Sequence, residues 1–559
     1  MNSRTRRADQ DERGISRRRL LDRAAAVAAV STVAAAVGSP TVGAAAAAPT
    51  VGLPACGPVG PVSITPGDPR YPSMLLGDNF RFVGDPEQVL VVSRTAEVVH
   101  AVQDAVRGGK WIAPRSGGHC FENFTADPGI RILLDLSPMD AVGYDPVMNA
   151  FLVEPGARLG AVYTTLFKRW GVTIPAGGCP DVGVGGHFAG GGYGPLSRRY
   201  GSVVDHLYAV EVVVVDAHGT ARAVVATREP HDPNRDLWWA HTGAGGGNFG
   251  VVTKYWLRAP GATGTDPARL LPPAPARMYF RLVTWRWSQV TEERQFTTLL
   301  RNFGSWHERN SAPGSPGTGI YAILNPVHVS AGGFYLVIQA DADLPDIDAI
   351  ATDLVETVTA GTGTLPSDDK GSTAWLHMIS WPGDGEGGDK VTRRLKLKAA
   401  YLRKGYSDEQ LSAVYTALND PTGSPDKGLL LIGYGGQVQA VSPTATAIAQ
   451  RDVVMKAVFQ SAWYGEDADA RNIAWMQKFY RSVYAKTGGA PVPDAVSHGS
   501  YINYPDIDLT DAAQNTSGTP WHELYYGQNY PRLQQIKATW DPRDVFHHAM
   551  SIQPAERTS

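Results

Sequence analysis

Cysteine is scarce, with three in 559 residues, too few for a disulfide scaffold. Neither sign of charge dominates: 51 basic and 54 acidic residues leave a formal net charge of -3, so no concentrated basic face for a nucleic-acid partner is expected. Long apolar runs are also missing. The alanine- and valine-rich stretch Ala24–Val37 has 14 residues, short of the ~20 that a spanning helix needs. Glycine (61) and proline (40) are plentiful on a 43% hydrophobic background. That composition excludes disorder and a helical bundle and points to a turn-rich, strand-rich chain with more than one core.

Residues 1–48 differ from the rest. Arg17-Arg18-Arg19 precedes the short apolar run, and Ala44-Ala45-Ala46-Ala47-Ala48 offers small side chains for a peptidase. A basic start, a short apolar middle and a small-residue end make an export signal of twin-arginine type. The expectation is a secreted protein with no stable membrane association after cleavage; the alternative is an uncleaved anchor.

From Pro86 to Pro260, valine-rich strands alternate with short amphipathic helices. Thr95 can cap a helix whose Val98, Val99, Val102 and Val106 form one apolar stripe, stopped by Gly108-Gly109. Two strands joined by Asp216-Ala217-His218-Gly219 read as a hairpin. Gly, Pro, Ala, Thr and Asp between Gly261 and Pro275 mark a boundary. Beyond it, strands such as Met278–Trp285 and Leu429–Tyr434 alternate with helices such as Asp408–Leu418, giving an antiparallel sheet flanked by helices. The aromatic tail from Trp521 to Pro554 should pack rather than trail.

Three glycine-rich passages carry the chemistry. Arg115-Ser116-Gly117-Gly118-His119 follows a strand directly, and its glycines let successive N–H groups converge on an anion, a phosphate nest. Pro175 to Gly194 is too long for one turn and lacks a strand leading into a helix, so it reads as extended backbone laid along a flat ligand. Gly245, Gly247 and Gly250 match G-x-G-x-x-G, but a strand-like Val251-Val252-Thr253-Lys254-Tyr255-Trp256 follows where a Rossmann fingerprint requires a helix. A dinucleotide held by another architecture is the expectation. No metal site is expected: His547-His548 lies beside an apolar tail, and no H-E-x-x-H occurs.

Those passages, with Gly177-Gly178-Cys179, Tyr501-Ile502-Asn503-Tyr504, Tyr525-Tyr526-Gly527-Gln528-Asn529-Tyr530, Lys537 and Asp541-Pro542-Arg543-Asp544-Val545-Phe546, resemble the berberine bridge enzyme-like FAD-linked oxidases. These belong to the vanillyl-alcohol oxidase class, and the likeness spans nearly the whole chain after residue 48. It implies an α+β, two-domain PCMH-type FAD-binding fold: residues 49–265 for the first part of the FAD domain, 266–504 for a substrate domain on an antiparallel sheet, and 505–559 returning to the FAD domain. It further implies FAD fixed bicovalently, His119 on the 8α-methyl carbon and Cys179 on C6. The same resemblance implies Arg115, Ser116, Gly117, Gly118, Gly185, Gly186, Gly247, Gly250, Val252 and Asn529 as the remaining cofactor contacts. Imidazole and thiolate are side chains that can add to the electrophilic edge of an oxidised flavin. Cys56 and Cys120 are left over as candidates for a disulfide.

An alcohol oxidised by flavin loses a hydride from carbon and a proton from oxygen, so a base is needed. Tyr504 is the candidate, and because free tyrosine has a pKa of ~10, neighbours must stabilise its phenolate. Tyr193 and Tyr434 are the candidate helpers; Ile432 stands where some relatives carry an acid, which favours a tyrosine-only network. The resulting expectation is an oxidase acting on a secondary alcohol of a sugar, oligosaccharide or glycosylated metabolite, with O2 as acceptor and hydrogen peroxide as product. A flavin dehydrogenase, an oxidative cyclase and a non-catalytic ligand-binding flavoprotein are the rivals.

Overall fold

A computed structural model describes residues 61–379 and 392–555. The export signal and Cys56, and with it the Cys56–Cys120 pairing, lie outside the described residues. Three sheets form the frame. The first contains β1 (Val62–Ile64), β2 (Gln88–Val91), β3 (Ile112–Arg115) and β4 (Ile132–Asp135) in the order β1-β2-β4-β3, with β4 parallel to both β2 and β3. The second is antiparallel: β5 (Val142–Asp145), β6 (Ala150–Val153), β7 (Leu207–Val215), β8 (Ala221–Thr227) and β9 (Val251–Leu257), ordered β5-β6-β9-β7-β8.

The third sheet has seven antiparallel strands: β10 (Arg277–Arg286), β11 (Tyr321–Asn325), β12 (Gly333–Asp341), β13 (Ser367–Ala374), β14 (Arg394–Leu402), β15 (Lys427–Gly433) and β16 (Met455–Trp463), ordered β13-β10-β12-β11-β15-β16-β14. One face carries the helices Glu293–Arg309, Ile347–Thr359, Asp408–Leu418 and Asp469–Val483. The chain then returns: Tyr530–Trp540 packs on Arg235–Ala240 of the first half. Helices with one mixed and two antiparallel sheets, in two domains, are thus the architecture.

Local chemistry explains most boundaries. Helix Thr95–Gly108 stops at Gly109, which takes the left-handed conformation that glycine adopts without strain. Its start differs from the sequence expectation. Arg94 holds the cap position and Thr95 is inside the helix, where its hydroxyl donates to Glu211 Oε1 at 2.6 Å; Glu97 instead accepts from the Ser93 N–H at 2.9 Å. A tertiary acceptor outcompetes the local cap.

The passage from Pro175 to Gly194 also differs, because Val184–Ala189 is a six-residue helix. It forms where two glycine-rich segments meet: a Cβ at Gly183 would lie 2.3 Å from the Gly117 nitrogen, and one at Gly185 2.9 Å from Ser116 Cβ. Close approach of the two backbones, rather than an extended run, is what these glycines serve.

Buried histidines make stability depend on pH. His241 is 3% exposed, its Nδ1 lies 2.8 Å from the Leu237 carbonyl, and burial pushes its pKa down to about 4. His307 is fully buried and shifted the same way by burial and by the Arg198 charge. The native state holds both neutral, while the unfolded chain takes up protons near pH ~6.5. Their contribution is therefore complete above that pH and is lost as the pH falls toward the native values; His241 alone accounts for on the order of 3 kcal/mol. We expect Tm to fall between roughly pH 6.5 and pH 4, with a shallower fall in His241→Gln. A Tm constant across that range would contradict the assignment.

Candidate functional site

Between the first two sheets and the seven-stranded sheet lies a cavity of about 800 Å3. Its floor is the nest Arg115–His119, the loop holding Cys179, Gly185 and Gly186, and Gly245, Gly246, Gly247, Gly250 and Val252. Its roof is one face of the seven-stranded sheet, and Tyr193, Tyr501, Asn503 and Tyr504 close one side. At Gly178, Gly186 and Gly246 a Cβ would meet nothing closer than 4.0 Å, so these backbones face open space. Gly118 and Gly247 both sit at φ +75°, a left-handed conformation that glycine adopts without strain. After Gly250 the chain enters β9, not a helix.

The nest is made of backbone. The Arg115 side chain is 8% exposed and committed to Asp135 at 2.6 Å, and the Ser116 hydroxyl donates to the Pro155 carbonyl at 2.5 Å. His119 points a buried Nδ1 at no hydrogen-bond partner. Cys179 is 5% exposed and faces the same cavity. Its loop is braced twice: Tyr163 donates to the Gly177 carbonyl at 2.7 Å, and the Gly177 N–H donates to His187 Nε2 at 3.1 Å. The second bond requires an unprotonated Nε2, in keeping with a His187 pKa pushed down to about 3 by burial and the Lys456 charge. A flat dinucleotide fits this space: glycine backbones line it, the nest supplies N–H groups, and an orphaned imidazole nitrogen and a thiol stand on its wall.

The tyrosine corner is built from two distant segments. Tyr193 Oη and Tyr504 Oη are 2.9 Å apart. The Tyr501 hydroxyl accepts from the Gly192 N–H at 3.0 Å and from Asn503 Nδ2 at 2.9 Å, while the same amide donates to the His187 carbonyl at 2.9 Å. The run Gly190-Gly191-Gly192 permits this docking, since a Cβ at Gly190 would sit 1.9 Å from Asn503 Oδ1. Tyr193 is buried and its phenol is pushed well above the ordinary value by burial and by Tyr504, so it keeps its proton.

Two of the residues singled out in the sequence are not at the cavity. Tyr434 lies behind Tyr193, with ring centroids 5.6 Å apart, and its hydroxyl pairs with Ser202 at 3.1 Å rather than with Tyr504. The turn after β15 fixes it there: Arg198 donates to the Tyr434 carbonyl, and a Cβ at Gly436 would strike the Arg198 carbonyl. Asn529 is 3% exposed, and its amide donates to the carbonyls of Pro443, Thr446 and Ala447. Its work is to hold that loop.

Lys456 was not anticipated. It is 1% exposed in β16, its Nζ has no hydrogen-bond partner, and it sits 3.3 Å from the ring centroid of Tyr193 and 3.7 Å from that of Tyr501. Burial and the Arg451 charge pull its pKa well down, whereas the ring faces favour the cation. The signal in the sequence is a single lysine within Val453-Val454-Met455-Lys456-Ala457-Val458-Phe459. Among the described residues no cluster of His, Cys, Asp and Glu could hold a metal ion, and no helix is long and apolar enough to cross a membrane.

Residues 86–224 match the FAD binding domain family, and residues 500–553 match the berberine and berberine-like family. The chain is 49% identical over 541 residues to the aclacinomycin-N/aclacinomycin-A oxidase of Streptomyces galilaeus, covering 96% of this chain and 98% of that one. It is 30% identical to the hexose oxidase of Chondrus crispus, over 87% of this chain and 93% of that one. Among solved structures, glycopeptide hexose oxidase DBV29 complexed with teicoplanin superposes with a TM-score of 0.85 at 50% identity, covering 90% of this chain and all (100%) of that one.

Proposed function

The chain belongs to the berberine bridge enzyme-like family of FAD-linked oxidoreductases, and on that premise we propose a secreted oxidase that converts a secondary alcohol of a sugar, or of a sugar attached to a natural product, to the ketone or lactone. The observation that carries this reading is the 2.9 Å contact between Tyr193 and Tyr504 inside a cavity whose wall also bears His119 and Cys179. The substrate class is supported by two of the relatives, a hexose oxidase and a glycopeptide hexose oxidase.

His119 and Cys179 would hold FAD, which when bound would supply the hydride acceptor, with O2 as the final electron acceptor and hydrogen peroxide as the product. The nest would supply N–H groups to its phosphates, and the glycine backbones would leave room for it. Tyr504 takes the hydroxyl proton, and Tyr193, retaining its own proton, donates to the phenolate that Tyr504 needs to be. Asn503 and Tyr501 fix the angle of that loop.

Lys456, whose pKa burial pulls well down, lies against the Tyr193 ring and carries a compensating charge when a neighbouring phenol is ionised. Its ionisation and that of the phenols are coupled, a phenolate above strengthening the amine's hold on its proton. Lys456→Met is accordingly expected to raise the pKa governing kcat/KM by about one unit, with activity partly recovered at higher pH. An unchanged pH profile would remove Lys456 from the account.

The reading is tested by anaerobic mixing of the purified flavoprotein with free hexoses, oligosaccharides and glycosylated aglycones. Bleaching of the flavin absorbance, followed by peroxide on readmission of O2, is the expected result. Binding without bleaching would make the protein a non-catalytic flavoprotein, and bleaching with no O2 uptake would make it a dehydrogenase.

A further inference from the structure

His119 and Tyr504 both stand in segments that are neither helix nor strand, so no strand pairing fixes either one directly. What both segments reach is β14, an edge strand of the seven-stranded sheet. Leu395 and Leu397 line the cavity, and the alternation of a strand turns Lys396 and Lys398 to its other side. There both ammonium groups are nearly fully buried.

Lys396 is where the two segments meet. Its Nζ lies 2.6 Å from Glu122 Oε1, three residues past His119, and 2.8 Å from Asp506 Oδ1, two residues past Tyr504. Lys398 takes the other oxygen of Asp506 at 2.7 Å, together with Asp508 Oδ2 at 2.7 Å. The Ile507 N–H donates to Glu122 Oε1 at 3.4 Å, so the two segments also touch without the lysine. A second tie runs beside the first: Asn79 Nδ2 donates to the carbonyls of Phe121 at 3.0 Å and Leu395 at 3.1 Å, and its Oδ1 accepts from the Leu395 N–H at 3.1 Å.

Ions buried this deeply are a poor source of stability, because desolvation offsets most of their attraction. What they add is direction. Charge-assisted hydrogen bonds fix distances and angles, whereas apolar burial is non-directional. The ring of Tyr504 has only aromatic contacts on this side, with Phe121 at 5.8 Å between centroids, so its place depends on the segment that carries it.

We propose that Glu122, Lys396 and Asp506 are positioning residues: one ammonium shared between two carboxylates sets the offset between the segment bearing His119 and the segment bearing Tyr504, and so holds the Tyr504 hydroxyl where the substrate proton is released. The inference rests on the reading of Tyr504 as the base and goes beyond it. The length of the Glu122 side chain is what matters, more than its charge.

The test compares the wild-type holoenzyme with Glu122→Gln, which keeps the length, Glu122→Asp, which keeps the charge but draws it back by about one carbon–carbon bond, ~1.5 Å, and Glu122→Ala. The first readout needs no substrate. Hydrogen exchange of peptides spanning 118–124 and 501–509 should quicken about tenfold in Glu122→Ala and Glu122→Asp and stay within about twofold of wild type in Glu122→Gln. The second is anaerobic flavin reduction by whichever of glucose, lactose and maltose reduces the wild type fastest. Its limiting rate should fall about tenfold to a hundredfold in Glu122→Asp and Glu122→Ala, as a misplacement of about 1 Å can do, with the sugar's dissociation constant within about threefold; Glu122→Gln should stay within about threefold on both. Added to Tyr504→Phe, Glu122→Asp should cost less than about twofold, since the group it positions is gone.

Unchanged exchange at 501–509 in Glu122→Asp overturns the role, and so does an equal loss of rate in the Tyr504→Phe background. Glu122→Asp retains the buried charge, so the test stands even where Glu122→Ala does not fold. A slow Tyr504→Phe beside a Glu122→Asp as fast as wild type overturns the positioning role alone; a Tyr504→Phe as fast as wild type overturns the base and this role with it.

Discussion

Replacing Tyr504 by phenylalanine is expected to lower kcat/KM by about 10²–10⁴-fold, the range general-base catalysis contributes, with Tm and the oxidised flavin spectrum little changed. The ring stays in place, wedged against Phe121 at 5.8 Å and Tyr501 at 5.3 Å between centroids; only the hydroxyl that meets Tyr193 is lost. Tyr193→Phe removes a hydrogen bond to an ionised group, worth roughly 1.5–3 kcal/mol, so its loss of rate should be smaller, about tenfold to a hundredfold. The double variant should fall little below Tyr504→Phe, because the two hydroxyls act as a unit. Steady-state kinetics on the best substrate checks all three, and a Tyr504→Phe enzyme within threefold of wild type would remove the tyrosine from the chemistry.

The second large effect concerns the cofactor. His119→Ala and Cys179→Ala should each retain flavin through the remaining link, so acid precipitation leaves the colour in the pellet; the double variant should release it entirely to the supernatant. The readout is independent of turnover. The two positions come from separate loops pressed together at Gly117 and Gly183, so loss of one side chain does not displace the other. Release of flavin from the wild-type protein in acid would contradict both linkages.

The parts of this molecule that sequence makes visible are those built from neighbours. Alternating valines and the Gly109 stop define local elements, and the G-x-G-x-x-G of residues 245–250 is told apart from a Rossmann turn by the strand after it. His119, Cys179 and Tyr504 stand in short motifs for the same reason. What is assembled from distant segments is not visible. Lys396 and Lys398 alternate with Leu395 and Leu397, and both are nearly fully buried, paired with Glu122, Asp506 and Asp508 at 2.6 to 3.6 Å.

That network joins the loop just after His119 to the loop just after Tyr504. No local pattern predicts it, because the carboxylates come from opposite ends of the chain. Tyr434 misled for the converse reason: its Tyr-Gly-Gly setting suggested a place beside Tyr504, but Arg198 and Ser202, over 200 residues earlier, turn it into the wall.

The central claim is that the Tyr193–Tyr504 pair removes the substrate proton at the wall of a flavin site. It is tested most directly by the rate constant for anaerobic flavin reduction measured across pH in wild type and Tyr504→Phe. The account predicts a wild-type rate that climbs through one ionisation and levels off, and a variant rate that is slow and flat. The same climbing profile in both proteins would contradict it.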